Sequence, residues 1–246
     1  MRIPVALSLS VLLVLLVLPG RSWANMEQKE ATRLKDQSLK KNRLDLYDLR
    51  SAAHGGDPWA ENEYGIFLLQ SGQVESKAFS WVHKAAQHGL SAAQNNVGAF
   101  YARGLVVRKD FTRAAKWFRL AAINGNANAQ YSLGMLYLRG WGVPVDPGRA
   151  AKWFQKGSLQ GQASSQYQLG LLYRKGKGVQ KDWARSVQWF REAARQDFSP
   201  AEQALAVAYT RGVGVPKDPA IARKWFQKAS RQAGRPSQFE VQWAFE

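Results

Sequence analysis

A repeat of 36 residues runs through most of this chain and limits the folds that it can adopt. Four residue types recur at that spacing in one register. The columns are Trp81, Trp117, Trp153, Trp189 and Trp225; Tyr101, Tyr137, Tyr173 and Tyr209; Gly104, Gly140, Gly176 and Gly212; and Asp110, Asp146, Asp182 and Asp218. Periods of roughly 20–50 residues are typical of arrays in which each unit packs on its neighbours. The chain is therefore predicted to be a repeat protein.

One glycine-rich segment looks like a phosphate-binding loop when a single copy, RKGKGVQKD at 174–182, is considered alone. A phosphate loop occurs once per site, whereas this segment occurs four times. Its first glycine, Gly176, follows an apolar helical pattern, where a left-handed residue commonly ends a helix. Its last residue, Asp182, precedes the next periodic run and can cap the free N–H groups there. We therefore predict a helix-to-helix turn and no nucleotide site.

Each unit is predicted to contain two helices, A and B. Helix A carries Ala-Gln-x-x-Leu-Gly-x-x-Tyr, and helix B carries Ala-x-Trp-Phe-x-x-Ala. Glycine recurs inside helix A, although it costs about 1 kcal/mol there relative to alanine, which predicts a close approach of another helix. The glycines are Gly98, Gly134 and Gly170, and Ala206 takes this place in the last copy. The Trp-Phe pair lies on one apolar stripe, so these aromatic residues are predicted to be core residues rather than a cofactor site.

The repeated motif resembles that of the Sel-1-like repeat family, a relative of the tetratricopeptide repeat. The matching residues in one copy are Ala129-Gln130, Leu133-Gly134, Tyr137, Gly140, Gly142, Asp146, Ala150 and Trp153-Phe154. Four copies match over residues 91–234, and a degenerate copy covers about 58–89. The resemblance implies an all-α fold, a right-handed α-solenoid of helix-turn-helix repeats. It also implies a scaffold or adaptor that binds proteins or peptides.

The first 24 residues are typical of an export signal. Arg2 gives a positive start, an almost wholly apolar run extends from Val5 to Leu18, and small residues flank Trp23. The run is shorter than the roughly 20 apolar residues of a membrane span. We expect cleavage after Ala24 and a periplasmic or secreted mature chain, with retention as an uncleaved anchor as the alternative.

The remaining sequence divides into three parts. Residues 25–57 are predicted to form an N-terminal helical cap with a degenerate half repeat, and residues 58–234 to form five Sel-1-like repeats. The tail at 235–246 alternates, with Phe239, Val241, Trp243 and Phe245 two residues apart. This period favours an extended strand. Three interpretations stay open for the tail: a cap over the last repeat, a segment lying in a groove, and a partner-binding segment.

Basic residues are in excess, with 35 Lys and Arg against 18 Asp and Glu and a formal net charge of +17. Four of them precede the first glycine of each loop, and we predict that these four bind a partner. They are Arg103, Arg139, Lys175 and Arg211. The alternative is that cations merely stabilise the helix C-terminus, by about 0.3–1 kcal/mol each. An exported basic chain favours an acidic protein or peptide, or an anionic envelope surface, as the partner, and nucleic acid is not expected.

Two further features carry open interpretations. A second basic column, Arg113, Arg149 and Arg185, begins helix B, but Ile221 breaks it. Trp141 lies between two loop glycines. It is predicted either to be exposed as a partner-binding anchor, as aromatic residues at interfaces often are, or to fold back on the neighbouring loop.

The sequence gives no candidate for catalysis, a cofactor or a metal. His83 and His88 are five residues apart, so they do not share one helix face as ligands four apart would. Some cysteine-rich relatives of the family are linked to β-lactam binding or hydrolysis, but this chain has no cysteine. We therefore expect a non-catalytic exported adaptor in the bacterial cell envelope. The alternative is an envelope enzyme or binding protein for β-lactam or peptidoglycan-like ligands. The oligomeric state is not predicted.

Overall fold

A computed structural model describes residues 46–72 and 75–232, and their regular secondary structure is entirely helical. The described residues from Leu49 onward form one compact unit, and the described ranges contain eleven helices. They are α1 (46–54), α2 (Pro58–Gln70), α3 (Glu75–Gln87), α4 (Ser91–Arg103), α5 (Phe111–Ile123), α6 (Ala127–Arg139), α7 (Pro147–Leu159), α8 (Ala163–Lys175), α9 (Trp183–Ala194), α10 (Ser199–Arg211) and α11 (Pro219–Gln232). From α2 to α11 each helix packs on the next along the chain. The predicted all-α solenoid is confirmed, with α2, α4, α6, α8 and α10 as the A helices.

The repeated loop is a helix-to-helix turn, as its composition predicts. The first glycine ends helix A in the left-handed conformation, with φ of 71°, 74°, 66° and 69° in the four copies. The closing aspartate accepts a hydrogen bond from the third residue of helix B, as in Asp146 Oδ1 to Arg149 N at 2.8 Å. The backbone N–H of the same aspartate donates to the carbonyl of the tyrosine that recurs in each repeat, as in Asp146 N to Tyr137 O at 2.9 Å. The tyrosine and aspartate columns therefore close one loop together.

The second glycine of the loop fixes the distance between neighbouring repeats. A Cβ atom on Gly178 would lie 2.3 Å from the backbone of Pro147, the first residue of the preceding helix B. Gly142 and Gly214 approach Phe111 and Trp183 in the same way. The pair of glycines in RKGKG therefore ends one helix and packs against another. Neither glycine forms a phosphate cradle.

The glycines inside helix A are covered by the phenylalanine of helix B. A Cβ atom on Gly98, Gly134 or Gly170 would lie 2.6 Å from a ring carbon of Phe118, Phe154 or Phe190 respectively. These three rings are 2%, 0% and 2% exposed, so they form the centre of each unit. The predicted close approach is therefore confirmed, and its partner is an aromatic ring.

A buried glutamine connects the helices on either side of each central A helix. Gln130 Nε2 donates to Ala122 O at 3.1 Å, and Gln130 Oε1 accepts from Gln160 Nε2 at 2.8 Å. Gln94 and Gln166 repeat both bonds one period away. Each of these amides is about 5% exposed or less, so the bonds satisfy polar groups that water does not reach.

The first and last repeats carry glutamate where the central repeats carry this glutamine. Glu61 is fully buried and contacts Lys84 Nζ at 2.8 Å and His88 Nδ1 at 2.9 Å. Glu202 is also fully buried, and its Oε1 lies 3.0 Å from Lys228 Nζ. A carboxylate cannot donate as the amide does, so each terminal glutamate is balanced by a lysine at the equivalent position of helix B.

Lys228 takes over the missing donor function in the last repeat. Its ammonium group donates to Ala194 O at 3.0 Å, the carbonyl that a glutamine at 202 would reach. It also contacts Asp197 Oδ1 at 2.8 Å. Burial opposes the charge of Lys228, but its hydrogen bonds to Asp197 and Glu202 and their negative charges outweigh burial and raise the pKa of Lys228.

Candidate protein-interaction surface

The predicted basic column occupies one equivalent position in four consecutive A helices. Arg103, Arg139, Lys175 and Arg211 are the last residues of α4, α6, α8 and α10, and all four are exposed. The following glycine ends each helix at the same point, so the local sequence fixes where each cation leaves the helix. We call these four residues the basic column.

Apolar side chains lie four residues before each member of the basic column, on the same face of the helix. They are Ala99, Met135, Leu171 and Val207. Their accessibility differs, from 5% for Met135 to 37% for Val207. The sequence prediction missed this apolar column, although a comparison of the repeats at the position four residues before each cation would have found it. Ala99, Leu171 and Val207 therefore leave accessible apolar surface beside the cations, whereas Met135 belongs to the core.

The second basic column has local partners. Arg113, Arg149 and Arg185 each place Nε 3.1–3.3 Å from the Oδ2 atom of the capping aspartate three residues earlier. Each guanidinium also lies 5.6–5.7 Å from the ring centre of a tyrosine of the Tyr column. The aspartate neutralises the charge and the ring orients the side chain. This column therefore serves the helix start and the loop.

Trp141 is half-buried and folds back on the preceding repeat. Its ring stacks on Phe111, the first residue of α5, with centroids 5.2 Å apart and planes at 17°. The guanidinium carbon of Arg139 lies 5.8 Å from the Trp141 ring centre. Of the two interpretations of Trp141, the structure matches the folded-back one. Trp141 thus links a member of the basic column to the neighbouring unit, and its contact with a partner stays a prediction.

His83 and His88 lie in separate surroundings. His83 stacks on Phe79 at 5.5 Å and lies edge-on to Trp117 at 5.3 Å, and burial lowers its pKa. His88 contacts Glu61 instead. Over residues 46–72 and 75–232, no group of three or more His, Cys, Asp or Glu side chains is placed to hold a metal ion. Within the same ranges no helix is long and apolar enough to cross a membrane.

Comparison with known proteins identifies the repeat. The sequence model of the Sel1 repeat matches residues 60–90, 91–126, 127–162, 163–198 and 199–233. A Sel1 repeat protein from Oxalobacter formigenes is 34% identical with a TM-score of 0.68, and the match covers 72% of this chain and 74% of that one. A protective antigen of uropathogenic Escherichia coli strains, which displays an SLR fold, is 32% identical with a TM-score of 0.73.

The match to the Escherichia coli antigen covers 76% of this chain but 41% of that longer chain. A search of curated proteins returns no match. Sel1 repeat proteins generally act as non-enzymatic scaffolds that mediate protein–protein interaction. Five matched repeats, together with the helix pairs and loops described above, place this chain in the Sel1 repeat family.

Proposed function

We propose that this chain is a non-catalytic, exported adaptor of the bacterial cell envelope, and that its basic column binds an acidic segment of a protein partner. The observation that supports this most directly is the recurrence of an exposed cation at the end of four consecutive A helices. The column at the start of helix B is paired with aspartates of its own repeat. The basic column lies at the other end of the loop, at exposed positions beside accessible apolar side chains such as Val207.

The repeat geometry suits an elongated partner. In a solenoid, equivalent residues of successive repeats lie side by side, so a partner that crosses the repeats meets the same chemistry in each unit. A cation at each unit gives electrostatic attraction and orientation, and the neighbouring apolar side chains provide area that is removed from water on binding. Acidic side chains interspersed with apolar ones are the matching composition for the partner segment.

The expected contribution of the cations follows from exposed ion pairs. Each such pair contributes about 0.2–1 kcal/mol, and reversing a charge replaces attraction with repulsion of similar size. Reversal at Arg139, Lys175 and Arg211 should therefore weaken binding by about 3 kcal/mol, which corresponds to roughly a 100-fold rise in Kd. Each reversal also places a negative charge at a helix C-terminus, which costs about 0.3–1 kcal/mol, so far-UV circular dichroism must show a folded variant before binding is compared.

The test is affinity capture from the native host with the full-length chain carrying a C-terminal tag, followed by mass spectrometry. The variant reverses Arg139, Lys175 and Arg211 to glutamate. The matched control reverses Lys116, Lys152 and Lys224, which are exposed, share one equivalent position of helix B and give the same change in charge. We expect one or two stoichiometric proteins with the wild type and the control, and their loss with the variant.

Other outcomes contradict the proposal in distinct ways. Equal loss with both variants, together with salt-sensitive capture of mixed acidic material, would mean that charge alone governs binding. Capture of no protein by the wild type would reject the adaptor. It would favour the alternative of a β-lactam or peptidoglycan-like ligand.

Export is tested separately on the same cells. The proposal expects the tagged chain in the periplasmic or secreted fraction, with an N-terminus at Asn25 by intact mass. A cytoplasmic chain that begins at Met1 would reject this part of the proposal, and a membrane-bound chain that keeps its first 24 residues would support the anchor instead.

A further inference from the structure

The last B helix, α11, presents a helical face that the inner B helices bury. Phe226 is 45% exposed, whereas its equivalents Phe118, Phe154 and Phe190 are 2%, 0% and 2% exposed. Each inner B helix packs on the A helix that follows it, whereas α11 is the last helix of the described residues. We call the face around Phe226 the end face. It is lined by Thr210, Pro219, Ala222, Arg223, Phe226, Gln227, Ser230 and Arg231.

The end face is only partly adapted to water. Arg223 is exposed where the inner units place Ala115, Ala151 or Val187, which are 2–4% exposed. Ser230 is likewise exposed at a position that is buried in the inner units. Phe226 nevertheless keeps the residue type of the inner units. A large exposed ring that persists beside these polar substitutions indicates that something covers it, because terminal repeats need a covered or polar outer face.

We propose that residues 239–245 of this chain cover the end face. Their alternating pattern places Phe239, Val241, Trp243 and Phe245 on one side of an extended strand. Such a side is apolar and matches the exposed ring and the flanking, exposed Pro219. This occupant is independent of the basic column and of its partner.

The lengths agree. α11 has 14 residues and is therefore about 21 Å long at 1.5 Å per residue. The seven residues 239–245 span about 23 Å when extended at 3.3 Å per residue. The six residues 233–238, which include Gly234 and Pro236, connect the end of α11 to this segment and are enough to reverse the chain direction.

Charge also favours this occupant. Residues 238–246 contain Glu240 and Glu246 and no lysine or arginine. The end face contributes Arg223 and Arg231. The tail segment is thus negatively charged and is attracted to these two cations. Its negative charge stands out in a chain whose formal net charge is +17.

The natural absence of cysteine permits a direct test by cross-linking of the full-length chain. Gln227, an exposed residue of the end face, is replaced by cysteine together with one tail residue at a time from 238 to 245. We expect at least one odd-numbered tail position to form a disulfide within the chain at least tenfold faster than the even-numbered positions. A matched control pairs each tail cysteine with Lys152→Cys, on the exposed side of α7, and should not cross-link.

The products separate the possible occupants. Disulfides between chains would show that the tail of a second copy covers the end face, and that outcome would overturn the proposal as stated. Equal rates at all tail positions, or at the α7 control, would also overturn it, because they indicate an unattached tail.

Thermal unfolding gives a second, independent readout. Val241→Asp should lower Tm by about 5 °C because it places a charge on the covered side, whereas Gln242→Asp should leave Tm unchanged. In a Phe226→Ser background the effect of Val241→Asp should shrink, since the proposal places both residues in the covered face. Additive effects of Val241→Asp and Phe226→Ser would overturn the proposed contact.

Discussion

Replacing Gly134 with alanine should destabilise the solenoid, although alanine is the better helix former. The new Cβ atom would lie 2.6, 2.8 and 3.0 Å from Cε1, Cδ1 and Cζ of Phe154. Phe154 is 0% exposed, so its ring has no open side toward which it can move. Overpacking of a closed core costs about 1–3 kcal/mol, and the gain in helix propensity is about 1 kcal/mol. The net loss should be roughly 1 kcal/mol.

The assay is urea unfolding of the full-length chain followed by far-UV circular dichroism. Gly148→Ala serves as the matched control, because a Cβ atom there would meet Asp146 Oδ1 at 3.4 Å and no closer atom. This control should stabilise the protein by about 0.5 kcal/mol through helix propensity alone. In a Phe154→Leu background, Gly134→Ala should cost less, because the ring that it strikes is gone.

One result would refute this reasoning: Gly134→Ala stabilising the protein as much as Gly148→Ala does. The last repeat already contains the tolerated case. Ala206 occupies the position equivalent to Gly134, and there the phenylalanine, Phe226, is 45% exposed and has room to turn outward. Alanine is thus compatible with this position where the ring is not enclosed.

Three further predictions concern other positions. Val106 adopts φ of 66° where the other copies have glycine, so Val106→Gly should stabilise the chain by about 0.5–1 kcal/mol in urea unfolding, whereas Val107→Gly should not. Lys228→Ala should destabilise the protein by about 3 kcal/mol, because it leaves Glu202 buried without its cation. Adding Glu202→Gln should restore most of that stability in urea unfolding. No restoration would show that the lysine does not replace the amide donor of the inner repeats. Burial lowers the pKa of His83 in the folded chain below the ordinary value of 6.5. When the pH falls below 6.5, the unfolded chain therefore binds the proton more readily than the folded chain, and the free energy of unfolding falls. Between pH 7.5 and 5.5 the midpoint of urea unfolding should therefore fall more in the wild type than in His83→Gln, and equal falls would contradict this.

The sequence predicts the parts of this fold whose cause is local. Gly140 ends α6 and Asp146 begins α7 because each needs only its immediate neighbours to act. Gly134 is also predictable, since a glycine inside a helix in three copies requires a reason outside the helix. What the sequence could not supply is the identity of the covering group, because Phe154 belongs to a different helix.

The candidate surface was less predictable. Both basic columns look alike in the sequence, and their difference depends on where each side chain goes. Arg149 reaches the second oxygen of Asp146, which caps the same helix, so the aspartate–arginine spacing of three residues contains the needed information. Trp141 could not be placed from sequence, because its stacking partner Phe111 lies 30 residues earlier and is aligned only by the close approach of Gly142.

The buried amides determine how such an array can grow. A unit with glutamine at this position, such as 127–162, supplies a donor to the unit before it and accepts from the amide that closes its own second helix. A duplicate of that unit, inserted in register, would therefore keep the buried amide of Gln130 paired on both sides. Glu202 lacks the donor and depends on Lys228, so these two residues can be duplicated or replaced only together. Lengthening by gene duplication is thus open to the interior units, whereas a unit with glutamate at this position needs its lysine partner as well.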